Sequence, residues 1–193
     1  MFTPHLNLNG SRGAGKSTIS QLLASRHRTV WVPRVTTSPG IQTGEYERVG
    51  RQKFAKLRAS GDLMVWTIHP TVVGRKIHKV AIPSLRNWPA MSSPDTDLII
   101  SVFGRYSFAI KEIYAPWMVN IFLAAQPEDI EKRLLARAGK KKGSNFSRHM
   151  SDNRFRFENN EIPDYDITVW NDGTPLQCVE KIEKILGLQP PKY

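Results

Sequence analysis

The fold of this 193-residue chain is decided by the stretch Gly10-Ser11-Arg12-Gly13-Ala14-Gly15-Lys16-Ser17. The stretch matches the pattern GxxxxGK[S/T] at every fixed position. Its glycines allow successive backbone N–H groups to point inward around phosphate oxygens. Lys16 can reach the β- and γ-phosphates of a nucleotide, the Ser17 hydroxyl can bind Mg²⁺, and Thr18 can support the α-phosphate. We therefore expect residues 10–18 to bind ATP together with Mg²⁺.

The surroundings of this loop have the required pattern. Residues 5–9 alternate and predict a short strand before the loop. Residues 16–26 place Ile19, Leu22 and Leu23 on one face of a helix after it. The start of that helix adds its dipole and unpaired N–H groups to the same spot. Strand, glycine loop and helix together favour anion binding.

Apolar runs and periodicity predict the other elements. Strands are expected at residues 30–32, 63–68, 98–103, 118–124 and 167–170, and helices at residues 51–60, 127–138 and 176–186. This alternation indicates an α/β chain, a P-loop NTPase three-layer fold with a parallel sheet. We expect a single domain over residues 1–193, in which residues 33–83 are an acceptor-binding insert and residues 139–161 a basic lid.

The net charge of +11 favours polyanionic partners, namely nucleotides, polyphosphates or nucleic acid. No apolar run is long enough for a membrane span, and the N-terminus lacks the pattern of a signal peptide. The single cysteine, Cys178, excludes an internal disulfide and lies in a helical pattern, where we expect a small core residue. These features predict a cytoplasmic protein without membrane association.

One expected metal ligand is missing from the sequence. P-loop enzymes commonly hold Mg²⁺ through an Asp that ends a buried strand. Here the strand at residues 98–103 is followed by Arg105 and contains Ser101, whereas Asp97 lies at its start. The sequence predicts that phosphate oxygens, Ser17 and water hold the metal.

Three stretches resemble the guanylate kinase-like group of P-loop nucleotide kinases. They are the glycine loop; Arg34-Val35-Thr36-Thr37-Ser38-Pro39-Gly40 with Gly44-Glu45-Tyr46 and Phe54; and a stretch from Gln126-Pro127 through Lys132-Arg133-Leu134-Leu135-Ala136-Arg137 and Arg148 to Tyr165-Asp166-Ile167-Thr168-Val169-Trp170-Asn171-Asp172-Gly173.

The resemblance implies a kinase and assigns roles to individual residues. Arg137 and Arg148 would act with Lys16 in catalysis by closing over the donor phosphates. Asn171 and Asp172 would contact the adenine, and Arg133 is a further predicted nucleotide-binding residue. The Asn171-Asp172 pair is also typical of a type I′ turn, which is an alternative interpretation. The implied acceptor-binding residues are Arg34, Thr36, Thr37, Tyr46, Arg48, Arg51 and Arg105.

Departures from the group modify the expected acceptor. In the group, the glutamate that reads guanine would fall near Val65, and it is absent here. Ser101 stands where the group has acidic residues. GMP is therefore expected to be a poor acceptor. The same departures bring the chain nearer to ribose 1,5-bisphosphate phosphokinase, so the acceptor is expected to be a nucleoside monophosphate or a ribose bisphosphate.

Two other function classes stay open at this stage. The charge and the scattered tryptophans would also suit a kinase acting on nucleic acid, at an end or on a modified base. A non-catalytic nucleotide-binding module is the third class, although the intact Lys16-Ser17 pair argues against it.

Overall fold

A computed structural model describes residues 3–38, 46–70, 77–84, 95–102, 111–112, 117–138 and 165–189. Its strands are β1 (His5–Gly10), β2 (Thr29–Val32), β3 (Arg34–Thr36), β4 (Tyr46–Arg48), β5 (Leu63–Pro70), β6 (Ile77–Pro83), β7 (Leu98–Ser101), β8 (Met118–Ala124) and β9 (Ile167–Trp170). Its helices are α1 (Lys16–Arg26), α2 (Arg51–Ala59), α3 (Pro127–Ala138) and α4 (Pro175–Leu186).

Five strands form the main sheet, in the order β2-β7-β1-β8-β9. The pairs β2 with β7, β1 with β7 and β8 with β9 are parallel. Every residue of β7 is buried, as its continuous apolar run predicts. This is the predicted α/β architecture, a parallel sheet with flanking helices.

Strand β1 differs from an ordinary alternating strand because both of its faces are buried. Leu6 and Leu8 lie on one face, whereas His5, Asn7 and Asn9 lie on the other, and each is at most 1% exposed. A buried polar side chain needs hydrogen-bond partners. The polar face of β1 therefore lies in the protein interior and not in solvent.

Helix α1 packs against α4. Helix α4 begins at a capping box, in which Thr174 and Gln177 bond each other's backbone, and it ends at Gly187 in the left-handed conformation. Cys178 is buried on this helix, as predicted, and burial raises the pKa of its thiol to about 11.

A second sheet has the strand order β4-β3-β6-β5. Strand β3 is parallel to β4 and antiparallel to β6, which is antiparallel to β5. Its core contains Val35, Phe54 and Ala81, so α2 packs through Phe54. The sequence predicted β5 and α2 but not β6, because His78 and Lys79 interrupt its apolar pattern.

The chain divides into two compact units. One consists of Met1–Asn7 with His27–Met118, and the other of Leu8–Arg26 with Val119–Tyr193. The glycine loop belongs to the second unit, and the second sheet to the first. The predicted lid, residues 139–161, lies outside the described residues. None of the described helices is long and apolar enough to cross a membrane.

Candidate nucleotide-binding site

The glycine loop has a backbone that only glycine adopts readily. Gly10, Gly13 and Gly15 have φ values of 137°, 92° and 103°. A Cβ added to Gly10 would lie 2.5 Å from the carbonyl oxygen of Leu123, and one added to Gly15 would lie 2.5 Å from Nδ2 of Asn171. The fixed glycines of the motif are thus required by both conformation and space.

Lys16, the first residue of α1, bends back over the loop. Its Nζ donates hydrogen bonds to the carbonyl oxygens of Gly10 (2.9 Å) and Ser11 (3.0 Å). These bonds hold the ammonium group at the start of the loop, beside the positive end of the α1 dipole. The arrangement concentrates positive charge at one place and suits the phosphates of a nucleotide.

Helix α3 supports the loop from behind. A Cβ on Gly13 would lie 3.1 Å from Cγ2 of Ile130 and 3.2 Å from Cγ of Leu134. Ile130 and Leu134 form one buried cluster with Ala125. The loop is therefore packed against a rigid element, which limits the backbone shapes available to it.

Arg133 and Asn171 tie the loop to the end of β9. Arg133 donates to the carbonyl oxygens of Gly13 and Ala14, both at 3.4 Å, and to that of Asn171 at 3.0 Å. The Asn171 amide donates to the oxygen of Ala14 at 2.7 Å. Both residues were predicted to bind the nucleotide, Asn171 on the adenine side; here they contact the glycine loop itself.

The segment after β9 is not a hairpin turn. Asn171 is buried, and the chain continues from it to Thr174, which caps α4. The alternative interpretation of Asn171-Asp172 as a type I′ turn is therefore wrong, since that turn joins two antiparallel strands. Asp172 is exposed and accepts a hydrogen bond from Lys181 at 3.2 Å, which lowers the pKa of its carboxyl group.

The other predicted loop residues differ in exposure. Ala14 is buried, Ser11 and Ser17 are half-buried, and Arg12 and Thr18 are exposed. Among the described residues, no group of three or more His, Cys, Asp or Glu side chains could hold a metal ion. Ser17, the predicted ligand of Mg²⁺, is half-buried near the start of α1, and its role in binding the metal stays a prediction.

A neutral polar cluster occupies the end of β7, where P-loop enzymes commonly place an acid. The Oγ of Ser101 lies 3.0 Å from Nε2 of His5, 3.3 Å from Oδ1 of Asn7 and 3.4 Å from the oxygen of Leu6. Burial lowers the pKa of His5 to about 3, so its ring is neutral at pH 7. His5 and Asn7 were not predicted as site residues, although their alternation with leucines in a central strand was a usable signal.

Asp97 lies just before β7, as predicted, and is paired with Arg28. The Arg28 guanidinium donates to its carboxylate at 2.7 and 3.1 Å, which lowers the pKa of Asp97. Asp97 therefore holds the start of β7 through its ion pair with Arg28.

Four of the predicted acceptor-binding residues, Arg34, Thr36, Tyr46 and Arg48, lie on strands β3 and β4 of the second sheet. The Arg34 guanidinium lies 4.1 Å from the centroid of the Tyr46 ring, a cation–π contact across β3 and β4. Thr36 is fully buried, and its hydroxyl accepts a hydrogen bond from the backbone N–H of Ser38 at 3.1 Å. Thr37 is half-buried. Arg34 and Tyr46 thus contact each other directly, whereas the Thr36 hydroxyl bonds the backbone of Ser38.

The remaining predicted cations divide into two groups. Arg48 on β4 and Arg51 on α2 are exposed. The side chain of Arg137, and all of Arg105 and Arg148, lie outside what the structure describes. The roles predicted for these three residues stay predictions.

Solved structures of other proteins are similar to this fold. A guanylate kinase from Anaplasma phagocytophilum superposes with a TM-score of 0.62 and 19% sequence identity, covering 96% of this chain and 85% of that one. A Thermus thermophilus protein gives 0.49 at 15% identity, covering 97% and 98%. A sugar kinase from a Janibacter species gives 0.48 at 18%, covering 99% of both chains.

No family model matches this chain, and a comparison with curated proteins gives no match. The Anaplasma superposition nevertheless confirms the predicted fold, an α/β chain with a parallel sheet like that of guanylate kinase. At this level of identity the similarity concerns the fold alone.

Proposed function

We propose that this chain is an ATP-dependent phosphotransferase acting on a phosphorylated small molecule, such as a nucleoside monophosphate or a ribose bisphosphate. One observation carries the proposal: glycines with positive φ and the Lys16 ammonium group stand together at the N-terminus of α1. This combination provides a backbone cradle, a mobile cation and a helix dipole for a chain of phosphates.

The donor side would work through the glycine loop. Its N–H groups would bind the phosphate oxygens, and Lys16 would neutralise charge on the β- and γ-phosphates. When bound, Mg²⁺ would neutralise further negative charge on these oxygens, and Ser17 would hold it. Arg133 and Asn171 would keep the loop in its binding shape through their bonds to Gly13 and Ala14.

Transfer to a phosphorylated acceptor requires little acid–base chemistry. An acceptor phosphate oxygen would attack the γ-phosphorus, and the bond to the bridging oxygen would break, leaving ADP. Because this oxygen is already an anion, no strong general base is needed. The positioning groups would be the Arg34–Tyr46 pair with Thr37, and Arg137 and Arg148 would stabilise charge on the transferring group.

The absence of acids at two positions supports the choice of acceptor. Val65 stands near the expected position of a guanine-reading glutamate, and Ser101 is bonded to neutral His5 and Asn7. A site without the matching polar groups loses the discrimination that buried hydrogen bonds provide. The same features favour a ribose bisphosphate over GMP.

A transfer screen tests the proposal directly. The full chain is incubated with γ-labelled ATP, Mg²⁺ and one acceptor at a time, chosen from nucleoside monophosphates, ribose phosphates and short oligonucleotides. We expect label on a phosphorylated small molecule, with kcat/KM for GMP more than tenfold below that of the best acceptor.

Each other outcome has a defined meaning. A GMP value within tenfold of the best acceptor contradicts the argument from Val65 and Ser101. Label found on oligonucleotides alone indicates a nucleic acid kinase. ATP binding without transfer to any acceptor indicates a non-catalytic nucleotide-binding module.

A further inference from the structure

Helix α2 carries a concentration of positive charge that the proposed function does not use in full. Its nine residues read RQKFAKLRA and include Arg51, Lys53, Lys56 and Arg58, without any Asp or Glu. All four cations are exposed. A solvated helix surface usually mixes charges of both signs. A helix that exposes cations and contains no acidic residue is therefore a candidate for binding an anionic partner.

The helical period sorts these cations into two rows. Side chains seven apart, such as Arg51 and Arg58, lie on the same side of a helix. Lys53 and Lys56, three apart, lie together on the other side. The two rows run along opposite flanks of α2.

Between the rows lies a ridge of small or neutral side chains. Gln52, Ala55 and Ala59 are exposed and lie opposite Phe54, which is buried in the core of the second sheet. Because two of the three are alanines, another molecule can approach the helix backbone closely along this ridge.

The helix dipole acts differently on the two ends of α2. The cations of the first turn oppose it, whereas Lys56 and Arg58 in the last turn favour it. One acidic neighbour, Glu47, lies 3.3 Å from Lys53, and the two side chains are 49% and 61% exposed. Such an exposed pair contributes little to stability.

We propose that α2 docks in the major groove of duplex DNA. This groove is about 12 Å wide and admits an α-helix. The alanine ridge would face the floor of the groove, and the two rows of cations would reach phosphates of the two strands. The amide of Gln52 can bond the edge of an adenine. The net charge of +11 would speed the encounter.

The inference is independent of phosphoryl transfer, so it is tested by binding without ATP. The anisotropy of a labelled 20-base-pair duplex, about two helical turns, is titrated with the full chain at about 50 to 200 mM salt. The test variant is Lys53→Gln with Lys56→Gln, which removes one row. Each lost phosphate contact lowers the slope of log K against log salt by about 0.9, so we expect a decrease of about 1.8 and weaker binding to every sequence.

A matched control variant shows whether a loss of binding comes from α2 itself or from the lower net charge of the whole protein. Lys132→Gln with Lys184→Gln removes the same two charges from exposed positions on α3 and α4, and it should leave the slope and the affinity nearly unchanged. Glutamine is a good helix former, so both variants should fold, which circular dichroism checks. Single-stranded DNA and duplex RNA of the same length should bind more weakly, because neither offers the wide major groove of B-form DNA.

Several results would overturn the inference. They are equal losses in the test and control variants, single-stranded DNA or duplex RNA that binds as tightly as duplex DNA, or no measurable binding of duplex DNA at about 50 mM salt.

Discussion

Lys16 and Arg133 at the glycine loop are hydrogen-bonded to loop carbonyls, whereas Lys53 and Lys56 on α2 are exposed, and the ion pair of Lys53 is with an exposed side chain, that of Glu47. Around the loop, glycine conformations and packing on α3 fix where each polar atom lies. On α2, only the order of residues along the helix places the charges. Substitutions near the loop should therefore have large and specific effects, and those of Lys53 and Lys56 on α2 small effects on stability and transfer.

The largest effect should follow from Lys16→Ala. It removes the cation that the loop holds at the predicted phosphate site, so we expect kcat/KM for transfer to fall about 100-fold or more. Lys56→Ala removes a cation from α2 and should leave transfer unchanged. Initial rates with the best acceptor decide the matter, and a near-normal rate for Lys16→Ala would refute the P-loop mechanism.

The next effect concerns two ion pairs of contrasting burial. Arg26 contacts Glu183 through two bonds of 2.7 and 3.0 Å, and these side chains are 12% and 5% exposed. Arg26→Met removes the arginine partner of a buried carboxylate and should lower the free energy of unfolding by about 2 kcal/mol. Lys53→Met breaks the exposed pair with Glu47 and should change it by less than about 0.5 kcal/mol.

Urea unfolding of the two methionine variants measures this difference. Equal losses in the two variants would show that the burial of the Arg26–Glu183 pair does not determine its contribution.

The smallest effect compares two glycines. Gly15→Ala must accept a φ of 103° and displace Asn171, so we expect a loss of about 1 to 2 kcal/mol in stability and weaker nucleotide binding. Gly50→Ala, at the start of α2, has φ −69° and open space within 4 Å. It should change stability by less than about 0.5 kcal/mol, since a poorer N-cap offsets a stiffer unfolded chain.

Thermal unfolding and nucleotide titration of both alanine variants test the comparison. If Gly15→Ala retained full stability and nucleotide affinity, the shape of the loop would not depend on this glycine.

The sequence predicted most of the main sheet and its helices. The predicted bounds of α1, β8, α3 and β9 agree with the structure, because each of these segments has one clear period or a continuous apolar run. Strand β6 was missed because His78 and Lys79 interrupt its hydrophobic pattern. Its partner β3 lies far away in the sequence, with Val35 opposite Ala81, whereas its other partner, β5, is the strand just before it. Long-range pairing leaves no local signal in a single sequence.

The sequence predicted the local parts of the candidate site and not its contacts between distant residues. A fixed local spacing encodes the glycine loop, so Gly10 to Ser17 could be identified directly. The contacts of Arg133 and Asn171 with Gly13 and Ala14 join residues more than 100 positions apart. The resemblance indicated that these two residues were important, but not that they contact the loop.

The sequence by itself determined the backbone shape of the glycine loop, because three glycines in one short segment permit the positive φ values that this shape requires. It also determined the cation rows of α2, which follow from the helical period. The tertiary structure alone decided that the polar face of β1 is buried and that His5, Asn7 and Ser101 meet. A strand's alternation shows which residues share a face, but whether that face meets solvent or protein depends on what the rest of the chain packs against it.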